Sequence, residues 1–152
     1  MGLFTVVSDV PALSLAAYTA EDCVGGVLAF AGAASAYANE GVIKRLTIID
    51  ADKEDAVLRL YLFDADPSAT ADTDAATFLP AAADLAKLIG FKAIAAADYK
   101  DSTSDSVAVF EMDMPFVLAA GGTTLYGVLV CTGTPTYTAA DDLTVKRVIS
   151  RR

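Results

Sequence analysis

Short segments with a strand-like pattern of hydrophobic and polar positions follow one another along most of the chain. In the clearest of them, Ala56–Asp64, three leucines occupy every second position and polar or aromatic residues lie between them. A period of two predicts a strand that buries one face in a core. Further strands are predicted at Leu3–Ser8, Val24–Ala31, Gly41–Asp50, Phe91–Ala95, Ser106–Met112, Thr123–Thr132 and Leu143–Ser150. The pattern therefore predicts about eight strands.

Only one segment has a helical pattern, and it covers residues 80–89. Pro80 suits the first position of a helix, and Leu85, Leu88 and Ile89 follow at helical spacing before a glycine. Strands otherwise follow strands without alternating helices, which excludes a parallel α/β fold. We therefore expect a mainly all-β fold, an antiparallel β-sandwich that is jelly-roll-like and carries one short helix.

Local signals also predict how the strands are arranged. The short polar turn between Gly41–Asp50 and Ala56–Asp64 predicts that these two strands form an antiparallel hairpin. Thr123–Thr132 is the most apolar strand, which predicts a central place in its sheet. Residues 21–152 are expected to form a single sandwich domain. Residues 1–20 are either an N-terminal arm that lies across a neighbouring subunit or the first strand of the sandwich.

The composition mainly excludes function classes. The 152 residues contain no histidine, which excludes Ser-His-Asp and Cys-His catalysis and histidine-ligated metal sites. Cys23 and Cys131 are too few for a four-thiolate site or a disulfide framework, so we interpret them as small buried apolar residues. We expect no catalytic residues, no cofactor and no bound metal, and hence a protein that is not an enzyme.

The hydrophobic fraction of 55 % does not indicate a membrane protein, because 30 alanines account for much of it. The longest stretch with few charges, Cys23–Asn39, is interrupted by glycines and is shorter than the roughly 20 apolar residues of a membrane-spanning helix. No basic segment precedes Leu3–Val7, so we expect no signal peptide. The net charge of -9 argues against binding to nucleic acid.

The carboxylates are the only abundant reactive groups. Asp64, Asp66, Asp72 and Asp74 share one loop, which is either a calcium site or a loop in which aspartates bond their own backbone. The spacing lacks the glycine and glutamate of an EF-hand loop. A hydrolase that uses acids such as Asp64, Asp66 or Glu111 is a further, weaker alternative.

The remaining pattern points to association with other proteins. Alanine side chains bury little area, so contacts between subunits are expected to add to the core. Two groups of residues are candidate contacts with a capsid or with a second subunit. They are the apolar N-terminal residues Leu3, Phe4, Val6, Val7, Leu13 and Leu15, and the basic C-terminal residues Lys146, Arg147, Arg151 and Arg152.

Several segments together resemble structural proteins in the virions of tailed bacteriophages. The residues that carry the resemblance are Ala17–Gly26, Val42–Ile49, Leu58–Phe63, Asp66-Pro67, Asp84–Ala86, Leu88–Phe91, Thr124–Val130 and Thr136–Thr138. Among such proteins, the chain resembles head cement or decoration proteins. The resemblance covers most of the chain from Ala17 onward and includes no catalytic residues.

The resemblance implies a capsid cement protein that binds the major capsid protein and stabilises the head. It implies that the chain is made in the cytoplasm of a host bacterium, that it lies on the capsid surface, and that it assembles with itself as a homotrimer or homodimer. No nucleic acid or membrane partner is expected. The alternative is a β-sandwich module of the tail that binds a receptor or a carbohydrate.

Overall fold

Two antiparallel sheets make up the computed structural model, which describes residues 3–70 and 72–151. In these residues a five-stranded sheet has the order β1-β9-β3-β7-β6, and a four-stranded sheet has the order β2-β8-β4-β5. The strands are β1 Leu3–Asp9, β2 Cys23–Phe30, β3 Glu40–Asp50, β4 Leu58–Phe63, β5 Leu88–Ile94, β6 Tyr99–Asp101, β7 Ser106–Val117, β8 Leu125–Cys131 and β9 Leu143–Arg151. The predicted all-β sandwich is confirmed.

The strand pairing is nested. When the short strand β6 is set aside, the first of the remaining eight strands pairs with the last, the second with the seventh, the third with the sixth and the fourth with the fifth. The chain is thus folded back on itself as one long hairpin. That hairpin wraps into two sheets where β9 joins β3 and β8 joins β4. This is the pairing pattern of a jelly-roll-like sandwich.

The main core lies between the two sheets and consists of the inward-facing positions of both. On β4 the inward residues are Leu58, Leu60 and Leu62, which are 0 to 1 % exposed, as their alternation predicts. Strand β8 has a neighbour on each side, which confirms its predicted central place. Its pattern is almost uniformly buried because both of its faces are covered.

The predicted helix over residues 80–89 is wrong in extent. Helix α1 covers only Ala82–Leu85, and Leu88 already belongs to β5, where it lies opposite Phe63. The last residues of the predicted helix begin this strand, and Leu88 packs on the outer face of the four-stranded sheet. Pairing with β4 outweighs the local helical preference, which contributes little in so short a segment.

The predicted hairpin of Gly41–Asp50 and Ala56–Asp64 is also wrong. Strand β3 lies between β9 and β7, whereas β4 lies between β8 and β5 in the other sheet. The connection between them crosses from one sheet to the other at one end of the sandwich. Asp50 organises this connection, because its carboxylate accepts hydrogen bonds from the backbone N–H groups of Asp52 and Asp55 at 3.0 Å each.

Candidate docking surface

The outer face of the four-stranded sheet is covered by the chain itself. A second apolar cluster lies on this face, outside the main core, and its fully buried members include Cys23, Phe63, Val128 and Val130. The segment that covers them is 72–78, which is part of the long connection between β4 and α1.

Backbone hydrogen bonds and one contact between aromatic rings attach this segment. The N–H of Cys23 donates to the Ala76 carbonyl at 2.8 Å, and the N–H of Ala75 donates to the Cys23 carbonyl at 2.9 Å. The Phe78 ring lies 4.7 Å from the Tyr61 ring, centroid to centroid. The edge of β2 and the part of the outer face over Cys23, Phe63, Val128 and Val130 are therefore occupied from within the chain, while Phe91 on β5 remains 58 % exposed.

The outer face of the five-stranded sheet is different, because its apolar side chains are exposed. Phe4 is 67 % exposed, Val6 57 %, Val109 52 % and Val117 62 %. Phe4 and Val6 lie on β1, while Val109 and Val117 lie on β7 at the other side of the sheet. We call this surface the open face. An antiparallel sheet commonly leaves one face to solvent, but that face then carries mainly polar residues.

The charges of the open face are nearly balanced. Arg45 Nε donates to Glu111 at 2.8 Å, and Lys44 forms an ion pair with Asp113. The face carries four basic residues, Lys44, Arg45, Lys100 and Lys146, and three acidic residues, Glu40, Glu111 and Asp113. The whole chain has 20 acidic and 11 basic residues. The negative charge is therefore concentrated away from the open face.

The structure divides the predicted N-terminal contact residues into two groups. Leu3, Phe4 and Val6 are exposed on β1, and Leu15 is 58 % exposed in the following loop. Val7 and Leu13 are 7 % and 6 % exposed and belong to the main core, which corrects their assignment as contact residues. Val7 is buried because β1 pairs along its whole length with β9 and Val7 takes an inward position on it. Leu13 lies in the loop after β1, where its N–H donates to the Ala140 carbonyl at 3.0 Å.

The predicted basic C-terminal group is divided as well. Lys146 is exposed on the open face, whereas Arg151 is half-buried and donates to the Gly32 carbonyl at 3.4 Å. Arg152 lies outside the described residues. Arg147 is 1 % exposed, so its assignment as a surface contact is wrong. It shares the inward face of β9 with Leu143, Val145 and Ile149, and this alternation was visible in the sequence.

The acidic residues predicted as calcium ligands or catalysts either accept hydrogen bonds within the fold or lie far from one another. Asp74 accepts hydrogen bonds at 2.6 Å from the Tyr18 hydroxyl and from the Gly25 N–H. Glu111 lies on the open face, whereas Asp64 and Asp66 follow β4 in the other sheet, so the fold does not bring them together. Within residues 3–70 and 72–151 no three acidic or cysteine side chains converge as metal ligands would.

A shallow pocket of about 260 Å³ lies at one end of the sandwich, between residues 54–57 and 133–135. Glu54 lines this pocket, and its carboxylate accepts a hydrogen bond from the Thr136 N–H at 3.1 Å. Asp55 and Thr134 also line this pocket.

Cys23 and Cys131 are both fully buried and are not joined in a disulfide. Burial raises the pKa of the Cys23 thiol to about 12 and also raises that of the Cys131 thiol. The Cys131 thiol donates to the Thr19 carbonyl at 3.1 Å. Among the described residues, no helix has the length and apolar character needed to cross a membrane.

Comparisons with known proteins leave the chain without a family assignment. No protein-family model matches it. A search of curated proteins finds no significant match either.

Proposed function

We propose that the chain is a structural component of a bacteriophage virion that acts without catalysis: a cement or decoration protein that binds the major capsid protein and stabilises the head. The observation that carries this proposal is the contrast between the two sheets. Segment 72–78 covers much of one outer face, where Phe91 alone among the large apolar side chains of strands β2, β8, β4 and β5 is exposed, whereas the open face exposes Phe4, Val6, Val109 and Val117 to solvent.

Exposed apolar side chains on the face of a sheet favour burial against a partner. Each Å² of apolar surface removed from water contributes roughly 25 cal/mol. These residues form two groups on the open face, one on β1 and one on β7, and exposed apolar groups rimmed by polar residues are typical of surfaces that bind proteins. The ion pairs Arg45–Glu111 and Lys44–Asp113 lie beside these residues and supply the polar part of such a surface.

The distribution of charge supports an orientation in which the open face contacts the capsid. The open face is nearly neutral and can approach a capsid without repulsion from the chain's own net charge of -9. The opposite side of the sandwich would then face solvent, where its excess of acidic residues keeps particles apart. The jelly-roll-like fold is compatible with this role, although it also occurs in lectin domains and so does not select the function.

The test is to locate the chain in particles. Virions are purified after induction of a phage or prophage whose genome encodes the chain, and the heads and tails are examined by cryo-electron microscopy with a tagged copy as marker. Density for the chain on the outer surface of the head supports the proposal. Density confined to the tail would favour the receptor- or carbohydrate-binding alternative, and absence from purified particles would overturn a virion role.

A pair of matched variants tests the surface. Val109→Glu places a charge on the open face, and Leu85→Glu places the same charge on α1, where the side chain is exposed to a similar degree, 51 % against 52 %. We expect Val109→Glu to lower head occupancy and the temperature at which heads release DNA, and Leu85→Glu to change neither. Equal occupancy for the two variants would remove the open face from the mechanism.

A further inference from the structure

The four edges of the two sheets differ in how well they are protected against pairing with another strand. An unprotected edge presents a row of backbone N–H and C=O groups that another chain can extend. Three of the edges carry features that prevent this. Strand β2 is bulged at its two glycines, with Gly25 packed against Pro11, and the backbone of segment 72–78 is hydrogen-bonded to it.

The edges at β5 and at β6 and β7 are protected by charge and by proline. On β5, Lys92 turns toward the β7 side chain Phe110, with its ammonium 4.5 Å from the ring centroid. Strand β6 has only three residues, of which two are charged. Beyond β6, the edge of β7 carries Glu111, Asp113 and Pro115. Inward-turned lysines, short strands, charges and prolines are the usual means by which a sheet edge avoids pairing.

Strand β1 has no bulge, no proline and, apart from its last residue Asp9, no charge. All seven of its residues, Leu3–Asp9, pair with β9 in one unbroken register, without a bulge. Leu3 to Ser8 include no charged residue and no proline. The side chains along this edge are apolar and exposed: Leu3 is 73 % exposed, Phe4 67 % and Val6 57 %.

We propose that β1 pairs edge to edge with β1 of a second copy of this chain, antiparallel and around a two-fold axis. The two five-stranded sheets then form one continuous ten-stranded sheet. This inference does not rest on the proposed virion function, because it concerns the isolated protein in solution.

The alternation of outward and inward side chains along β1 limits which residues of the two strands can stand opposite each other. Phe4, Val6 and Ser8 face outwards and Val7 faces the core. In a two-fold pair whose open faces lie on the same side, even-numbered residues must stand opposite even-numbered residues. The register centred on Val6 places Val6 opposite Val6 of the second copy and Phe4 opposite its Ser8. The exposed apolar residues of both edges then form one strip at the centre of a doubled open face.

Charge does not oppose a second copy at this edge. Two chains of net charge -9 repel each other over most of their surfaces, but Leu3 to Ser8 bring no charge into the contact. In the same register, Asp9 lies opposite Leu3 of the second copy, and Leu3 pairs with Arg151 on β9. Asp9 thus faces an uncharged residue of the second copy and meets no acidic residue across the pair.

The first experiment measures the mass of the full chain in solution by light scattering or sedimentation equilibrium over a range of concentrations. We expect twice 15.7 kDa at the higher concentrations. Val6→Lys should return the protein to a monomer, because it places two ammonium groups opposite each other. Val109→Lys is the matched control: it adds the same charge to a similarly exposed residue of the open face, 52 % against 57 %, away from β1, and should leave the dimer intact.

A cross-link tests the register. In Val6→Cys the two new thiols would face each other across the pair, with Cβ atoms about 4.5–5.5 Å apart, and mild oxidation should give a reducible dimer. Val109→Cys should not cross-link. A monomer at all concentrations, a trimer, a dimer that survives Val6→Lys, or no cross-link with Val6→Cys would each overturn the pairing. The circular dichroism and melting temperature of each variant confirm that it is folded.

Discussion

The Arg147 guanidinium carbon lies 3.5 Å from the centroid of the Phe30 ring, inside the sandwich and between the two sheets. The side chain is 1 % exposed, and none of its three nitrogens has a hydrogen-bond partner among the described residues. Burial lowers the pKa of this guanidinium to about 9, so it is charged at neutral pH. A buried cation whose main compensation is an aromatic ring costs free energy, because such a contact contributes about 2 kcal/mol whereas desolvation costs several.

We therefore predict that Arg147→Met stabilises the protein. Methionine keeps an unbranched side chain against Phe30 and removes the buried charge. The free energy of unfolding should rise by about 1–4 kcal/mol, measured by urea denaturation at pH 7. Lys146→Met, on the neighbouring exposed residue, is the control and should change stability by less than about 0.5 kcal/mol. A loss of stability in Arg147→Met would show that the contact with Phe30 outweighs the cost of burial.

Gly127 faces Arg147 from β8. A Cβ atom at Gly127 would lie 3.0 Å from Arg147 Nη2 and 3.3 Å from both Leu60 and Phe30. We predict that Gly127→Ala lowers the free energy of unfolding by about 1–3 kcal/mol. The loss should be smaller in the Arg147→Met background, and a double-mutant cycle measures the difference. Gly133→Ala is the control, since its Cβ meets no atom within 4 Å. Equal losses in both backgrounds would contradict a close contact with Arg147.

Cys23 and Cys131 should be inert in the native protein. Both thiols are buried, and burial raises the pKa of each, so little thiolate is present at neutral pH. A thiol reagent should label them at least about a thousandfold more slowly in buffer than in urea, as expected for a domain that is stable by 5 kcal/mol or more. Fast labelling in buffer would contradict the packing of β2 against β8.

Burial of the Cys23 thiol also makes the free energy of unfolding depend on pH in the alkaline range. The unfolded thiols ionise near pH 8.5, well below the pKa of about 12 for folded Cys23. Above pH 8.5 the unfolded state therefore loses protons first, and the free energy of unfolding falls as pH rises. Cys23→Ala should lower stability at pH 7 but reduce its further decline between pH 8 and pH 10, measured by urea denaturation. An unchanged decline would contradict this assignment.

Asp84 should contribute stability at neutral pH and not at acidic pH. Its carboxylate accepts hydrogen bonds from the Lys87 ammonium and the Thr70 hydroxyl at 2.7 Å each and from the Ala69 N–H at 3.0 Å. The Lys87 ammonium, followed by the Thr70 hydroxyl, lowers the pKa of this carboxyl group below its usual range. Its contribution is therefore present above the unfolded pKa near 4 and is lost as pH falls through the folded value.

Asp84→Asn should accordingly destabilise the protein at pH 7, and the difference from the unmodified protein should shrink as the pH is lowered toward 3. Urea denaturation at several pH values measures both effects. Asp66→Asn, on an exposed carboxylate of the connection between β4 and α1, serves as the control. A difference that does not depend on pH would contradict a role for the charge of Asp84.

The positions of most strands could be predicted from the sequence because they depend on local alternation. The leucines of β4 and the apolar run of β8 identify both strands and their burial. The helix predicted over residues 80–89 failed for the opposite reason. Its pattern is local, but residues 88 and 89 are drawn into β5 by pairing with a strand about 25 residues earlier in the chain.

The sequence by itself determined the fold class, the approximate strands and the apolar character of β1, since all of these follow from composition and from a period of two. Only the tertiary structure decided which strands pair, because β3 pairs with β9 across about one hundred residues and not with the adjacent β4. Only the structure showed that segment 72–78 covers one sheet, that the other stays open, and that Arg147 lies inside. Whether a side chain is buried depends on its neighbours in space, and in this protein those neighbours belong to strands that are distant in sequence.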